Sequence, residues 1–173
     1  MIMIYGPAGS GKSTQGSILA EKIAGKALSV GQICRENFAE YTKTAAMVPE
    51  DVLALKVLEE VKAAEDAGFA VVLDGQPWSR DSKGSEILSH KTNGVIIIDV
   101  PREESIKRLS SRGRDDDQLS NWNKKLDMYE SRMPEYEAML REQDIEVYHV
   151  DGVGTIDEVA ERIETLYNKF VQK

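Results

Sequence analysis

The residues Gly6-Pro-Ala-Gly-Ser-Gly-Lys-Ser13 set glycines, one lysine and one hydroxyl at the spacing G-x-x-x-x-G-K-[ST]. That set suits one task, holding the phosphates of a nucleoside triphosphate. Glycines let the backbone close around anionic oxygens, so that a nest of N–H groups meets the positive end of a following helix. Gly9, Ser10, Gly11, Lys12, Ser13 and Thr14 are the expected contacts of the bound triphosphate. Lys12 would bring a mobile charge to the β- and γ-phosphates. Ser13 would offer its hydroxyl to Mg²⁺, a hard cation that prefers oxygen. The loop does not name a reaction, because kinases, ATPases and GTPases share it.

Two other groups bear on that question. Arg108, Arg112 and Arg114 precede Asp115, Asp116 and Asp117, and Lys125 follows. Arg108 and Arg112 are four residues apart on an expected helix and share a face. They form either a salt-bridged surface or a cationic cage for a transferring phosphoryl group, whose charge lies on its equatorial oxygens. Asp74 follows an apolar run directly. A carboxylate there lies at the ligand-binding edge of an open α/β sheet. It would orient Mg²⁺ through water, or serve as a turn or cap residue.

The elements that position these groups alternate along the chain. Short apolar runs at Ile2–Tyr5, Ala27–Val30, Phe69–Leu73, Val95–Val100 and Ile145–Val150 read as strands buried on both faces of a parallel sheet. Between them lie helical patterns. Ser13–Ile23 follows the glycine loop. Glu50–Asp66 follows Pro49 and carries Val52, Leu53, Leu55, Val57, Leu58 and Val61. Trp122, Leu126, Tyr129 and Met133 recur at helical spacing, with Pro134 expected to kink or break that helix. Thr155 and Glu158 form a capping box before Ile156, Val159, Ile163, Leu166 and Phe170. Alternation of this kind implies a layered α/β fold with a parallel sheet, in one domain over residues 1–173.

Bulk properties narrow the partners. Thirty acidic residues against 22 basic give a net charge of −8, which argues against broad nucleic-acid binding. Cys34 is the single cysteine, so no internal disulfide framework is expected. The opening residues lack a charged leader, and no apolar run approaches the roughly 20 residues of a membrane span. A cytoplasmic monomer is the expectation.

Taken in order, these segments resemble the adenylate kinase group of nucleoside monophosphate kinases, over nearly the whole chain. The phosphate loop with its trailing Gln15 is similar to that family's. So are Ser29-Val-Gly-Gln-Ile-Cys-Arg35 (T-G-D-x-x-R), Met47-Val-Pro-Glu-Asp-Val52 (L-V-P-D-E-V) and Asp74-Gly-Gln-Pro77 (D-G-F-P). Asp99-Val-Pro101 with Arg108 and Arg112, Arg114–Asp117 with Lys125, and Val150-Asp-Gly152 complete the series. The resemblance implies a P-loop three-layer α/β/α fold with five parallel strands. It implies a helical monophosphate-binding insertion near 30–60 and a very short lid near 112–117. ATP would sit on one side of the loop and a nucleoside monophosphate on the other. Lys12, Arg112, Arg114 and Lys125 would serve the transferring phosphoryl group. Arg108 and Gly152 would hold the ATP base. Val30, Arg35, Met47, Val48, Gly75, Trp78 and Arg80 would line the acceptor side.

The departures fall on that acceptor side. The family motif continues D-G-F-P-R, and its arginine holds the monophosphate; here the position is Trp78, which either stacks on a base or packs. Arg80 either substitutes for that arginine or stays on the surface. Val30 and Gln32 replace a threonine and an aspartate. With Gly113 alone between Arg112 and Arg114, the lid has no cysteine set for zinc and would shield ATP poorly from water. The expected function is transfer of the ATP γ-phosphoryl group to a nucleoside monophosphate, AMP favoured over CMP, UMP or a deoxynucleotide. The alternatives are a kinase for another small metabolite and a nucleotide-binding regulatory protein with weak turnover.

Overall fold

The computed structural model of the chain describes residues 1–43, 47–75, 78–90, 92–112 and 119–171. The strands are β1 (Ile2–Tyr5), β2 (Lys26–Ser29), β3 (Val71–Asp74), β4 (Gly94–Asp99) and β5 (Val147–Asp151). The helices are α1 (Lys12–Lys22), α2 (Val30–Asn37), α3 (Ala39–Lys43), α4 (Glu50–Asp66), α5 (Gly84–Ser89), α6 (Arg102–Arg112), α7 (Leu119–Glu142) and α8 (Ile156–Val171). The five strands form one sheet in the order β2-β3-β1-β4-β5, and every pair is parallel. This is the layered α/β architecture that the strand–helix alternation implied.

Strand periodicity divides the core into two layers. Met3, Tyr5, Leu73, Val95 and Ile97 face one side, where Val57 and Val61 of α4 and Tyr136 and Leu140 of α7 cover them. Ile2, Ile4, Val72, Ile96 and Ile98 face the other, against Leu19 of α1 and Val159 and Ile163 of α8. The central strands β1 and β3 are buried throughout, as parallel strands with two covered faces must be. The edge strands β2 and β5 are more polar, which suits an exposed edge.

Some local expectations shift. Phe69 lies outside β3 and is 45% exposed, because its N–H bonds the Ala64 carbonyl and closes α4, with Gly68 at φ 86° in the left-handed turn. Pro134 does not end its helix: α7 runs unbroken over Leu119–Glu142. Burial of Met133, Tyr136, Met139 and Leu140 on both sides of the proline holds the helix despite the missing donor. Val52, Leu55 and Ile156, apolar members of these helical patterns, are exposed. The capping box at α8 forms as expected. Thr155 N donates to Glu158 Oε2 at 2.7 Å, and Glu158 N donates to Thr155 Oγ1 at 3.2 Å. Among the described residues, no helix is long and apolar enough to cross a membrane.

Candidate active site at the phosphate loop

The loop after β1 delivers its backbone to the sheet's carboxyl edge. Gly9 sits at φ 85°, and a Cβ there would stand 2.6 Å from the Ser105 carbonyl oxygen of α6, so the close approach requires glycine. Gly11, at φ 88°, is the residue before α1, and no side chain caps that helix. The first-turn N–H groups of α1 are thus left to a ligand, with the helix dipole behind them. Ser10 is buried at 2% exposure, and its Oγ makes no hydrogen bond among the described residues. Lys12 Nζ rests on the Pro7 carbonyl at 3.3 Å, folded over the loop. Ser13 and Thr14 are exposed on the first turn of α1. A concave backbone, an uncapped helix end and a lysine over it form an anion cradle.

Asp74 ends β3 in register with Ile4 of β1 and Ser29 of β2, immediately beside the loop. It is 4% exposed. Its Oδ1 accepts a hydrogen bond from Ser29 Oγ at 3.1 Å, while Oδ2 bonds nothing among the described residues. The Ser13 hydroxyl and the unspent Asp74 oxygen fit a hard, largely hydrated cation such as Mg²⁺ held chiefly by phosphate oxygens. Ser29 had a local signal that went unused, a serine ahead of a helix start, and its Oγ also accepts the Gln32 N–H at 3.4 Å.

Of the residues expected at the ATP base, Arg108 donates from Nη2 to the Gly152 carbonyl at 3.0 Å and from Nε to Glu104 Oε1 at 2.9 Å. The guanidinium holds the Glu104 carboxyl below the usual carboxylate range. Gln15 Nε2 donates to the Ile156 carbonyl at 2.9 Å. α1 and α6 therefore both grip the β5–α8 turn. Gly152 allows no side chain, since a Cβ would lie 2.4 Å from Ile98 Cγ2. An open groove of about 680 Å³ runs from Pro7 to Val153 past the carboxyl ends of β4 and β5.

The residues expected on the acceptor side separate. Val30 is buried and packs on Gly75, where a Cβ would sit 3.3 Å from Val30 Cγ2. Val48 is buried, while Met47 is 52% exposed. Trp78 is buried to 2% exposure, and its ring lies flush against Gly84, whose Cβ would meet it at 2.3 Å. It packs as core. Arg80 points away, onto Glu142 (Nη1 to Oε2, 2.6 Å) and Glu135 (Nε to Oε1, 3.6 Å) on the outside of α7. Arg35, near the end of α2, makes no hydrogen bond or ion pair among the described residues. Burial raises the pKa of its neighbour Cys34, and Arg35 and Lys125 both act on that thiol in the opposite sense. Lys125 on α7 therefore lies within electrostatic reach of Cys34 on α2.

One pair had no local sequence signal. Glu50, the first residue of α4, is ion-paired with Arg132 of α7, and its Oε2 accepts the Ser79 N–H at 3.0 Å. Burial works to raise the Glu50 pKa, but the Ser79 and Arg132 bonds outweigh it and hold the carboxyl below its ordinary value. Arg112 ends α6, but its side chain, Arg114 and the rest of the expected lid at 113–117 lie outside the described residues.

A family described as AAA domain matches residues 5–123. The chain is similar to an adenylate kinase of Nocardia farcinica, 32% identical over 93% of this chain and 95% of that one. It is similar to an adenylate kinase of Thermus thermophilus, 30% identical over 94% of each chain. It is also similar to a probable UMP-CMP kinase 2 of Arabidopsis thaliana, 26% identical over 98% of this chain and 70% of that one. With the uncapped phosphate loop, the all-parallel sheet and relatives matched over nearly their full length, the chain belongs to the adenylate kinase family.

Proposed function

We propose that the chain is a nucleoside monophosphate kinase that passes the ATP γ-phosphoryl group directly to AMP, giving two ADP. One observation carries this reading. Two cationic side chains, Arg35 of α2 and Lys125 of α7, act on the same Cys34 thiol, in addition to the uncapped loop that would hold ATP. A single-nucleotide hydrolase has no need of that second positive site. An acceptor phosphate held there would be positioned for attack on the γ-phosphate, and positioning of this kind supplies much of the catalysis in phosphoryl transfer.

In the step itself, a phosphate oxygen of AMP attacks the γ-phosphorus. The bond from that phosphorus to the β–γ bridging oxygen breaks, and ADP leaves with the electron pair. Lys12 and the first-turn N–H groups of α1 stabilise the charge on the transferring group, aided by Arg112 and Arg114 from the short lid. Arg108 and the Gly152 turn seat the ATP base. Ser13, and Asp74 through water, would hold Mg²⁺, which would supply charge neutralisation for the phosphates. Val30 presents no hydrogen bond to the acceptor base. The resemblance to a probable UMP-CMP kinase therefore supports a pyrimidine monophosphate as the second reading.

A panel of nucleoside monophosphates with ATP and Mg²⁺, read by diphosphate formation, tests both. AMP is expected to give the highest kcat/KM. Preference for CMP or UMP selects the second reading. No diphosphate from any acceptor, with ATP still bound, rejects the kinase assignment.

A further inference from the structure

We infer that Arg132 is the acceptor-phosphate arginine of this chain, standing in for the arginine that position 78 lacks, and that Glu50 is its resting counter-ion. The inference rests on the kinase reading above.

A phosphate monoester is a dianion with planar faces of oxygen, and a guanidinium meets it with paired, parallel hydrogen bonds that an ammonium cannot offer. Arg35 is one guanidinium on the acceptor side. The residue after the Asp74–Pro77 segment should supply another, but Trp78 is turned into the core and packed on Gly84. Arg80 is spent on two glutamates on the outer surface. Restoring a planar partner therefore requires a different element.

Arg132 has the right place. It follows Lys125 by seven residues on α7, so the two side chains share a face roughly 10 Å apart along the axis. The Lys125 end of that face looks across at Cys34 and Arg35 on α2. The Arg132 end meets Glu50, and Glu50 in turn holds the Ser79 N–H, the residue next to Trp78. The Arg132 guanidinium thus stands beside the 78–79 backbone, where an arginine at position 78 would have begun. Its side chain is 29% exposed and that of Glu50 is 15% exposed, so the pair is partly buried yet open to solvent on one side. Glu50 is the only ion-pair partner of Arg132 among the described residues. An incoming phosphate offers the guanidinium two oxygens and a greater charge, where the carboxylate gives it one, Oε1, and keeps Oε2 on the Ser79 N–H. Exchange of Glu50 for phosphate keeps the guanidinium paired throughout, and Glu50 keeps the Ser79 N–H afterwards.

Steady-state kinetics at saturating ATP with varied monophosphate test this. In Arg132→Met the acceptor KM should rise about ten- to a hundredfold, the range for losing a charge-assisted hydrogen bond, with the KM for ATP unchanged within about twofold. Arg132→Lys should recover part of the loss. Glu50→Gln keeps an acceptor for Ser79 N–H and removes the competing charge, so it should leave the acceptor KM equal or lower. An unchanged acceptor KM in Arg132→Met overturns the inference. An equal rise in Arg132→Met and Glu50→Gln also overturns it, because the pair is then only a clamp between α4 and α7. If Arg132→Met does not fold, Arg132→Lys and Glu50→Gln decide: the acceptor KM must rise in the first and not in the second. If the wild type transfers no phosphoryl group, calorimetric AMP binding separates the two ideas. Binding lost in Arg132→Met rejects the kinase reading alone, and binding unaffected rejects both.

Discussion

The Ser29 hydroxyl donates to Asp74 Oδ1 at 3.1 Å and accepts the Gln32 N–H at 3.4 Å. One side chain therefore ends β2, caps α2 and steadies the carboxylate at the tip of β3. Replacing Ser29 by Ala should cost about 1 kcal/mol through the lost cap. It also strips Asp74 of its donor, so half-maximal turnover should need more Mg²⁺. Urea unfolding checks the first effect and a Mg²⁺ titration of activity the second.

Lys12 lies over the loop on the Pro7 carbonyl, ready to swing to phosphate. Lys12→Met should lower kcat by about 10²- to 10³-fold, the scale for removing one preorganised charge-stabilising donor. Stopped assays of ADP formation measure the loss, and circular dichroism verifies the fold.

Arg108 joins α6 to the β5–α8 turn through the Gly152 carbonyl. Arg108→Ala should raise the KM for ATP by roughly tenfold, as expected for one lost charged hydrogen bond. The acceptor KM should be unaffected, because Arg108 contacts the Gly152 turn that is proposed to seat the ATP base. A KM increase for both substrates would place Arg108 elsewhere in the mechanism.

Trp78 occupies the position of the family arginine, yet Trp78→Arg should not restore acceptor binding. The site is 2% exposed, and the substitution removes a buried indole and inserts a charge. Stability should fall by about 3–5 kcal/mol for the lost packing, with charge burial added. Denaturant midpoints of Trp78→Phe and Trp78→Arg compare the two terms.

Glu50 gives the fold a dependence on acid. Its folded pKa is depressed, so its stabilisation is present above the unfolded carboxylate value of about 4.3 and is lost as pH falls through the lower folded value. Glu50→Gln should flatten the stability profile below about pH 4.3 and lower stability near neutrality. Thermal unfolding measured across pH 3–7 reads both changes.

The phosphate loop, the parallel sheet and the capping box of α8 were legible in the sequence because each is local. A glycine spacing, an apolar run of four to six residues and a threonine three residues before a glutamate specify geometry within one turn or strand. The start of β3 was less legible. Apolar character alone included Phe69, whereas the hydrogen bond to Ala64 puts that residue in the closing turn of α4. The persistence of α7 through Pro134 was likewise invisible. Burial along the rest of the helix offsets one missing donor, and burial belongs to the tertiary fold.

The acceptor side shows the division most clearly. Sequence alone established that residue 78 is not arginine and that Arg80 is nearby. Only the packed structure decided that Trp78 turns inward onto Gly84, that Arg80 turns outward onto α7, and that Glu50 meets Arg132 across 82 residues of chain. Local pattern fixes which groups a segment carries. Which way a long side chain points, and which distant charge it meets, depends on the space and charge left by every other element.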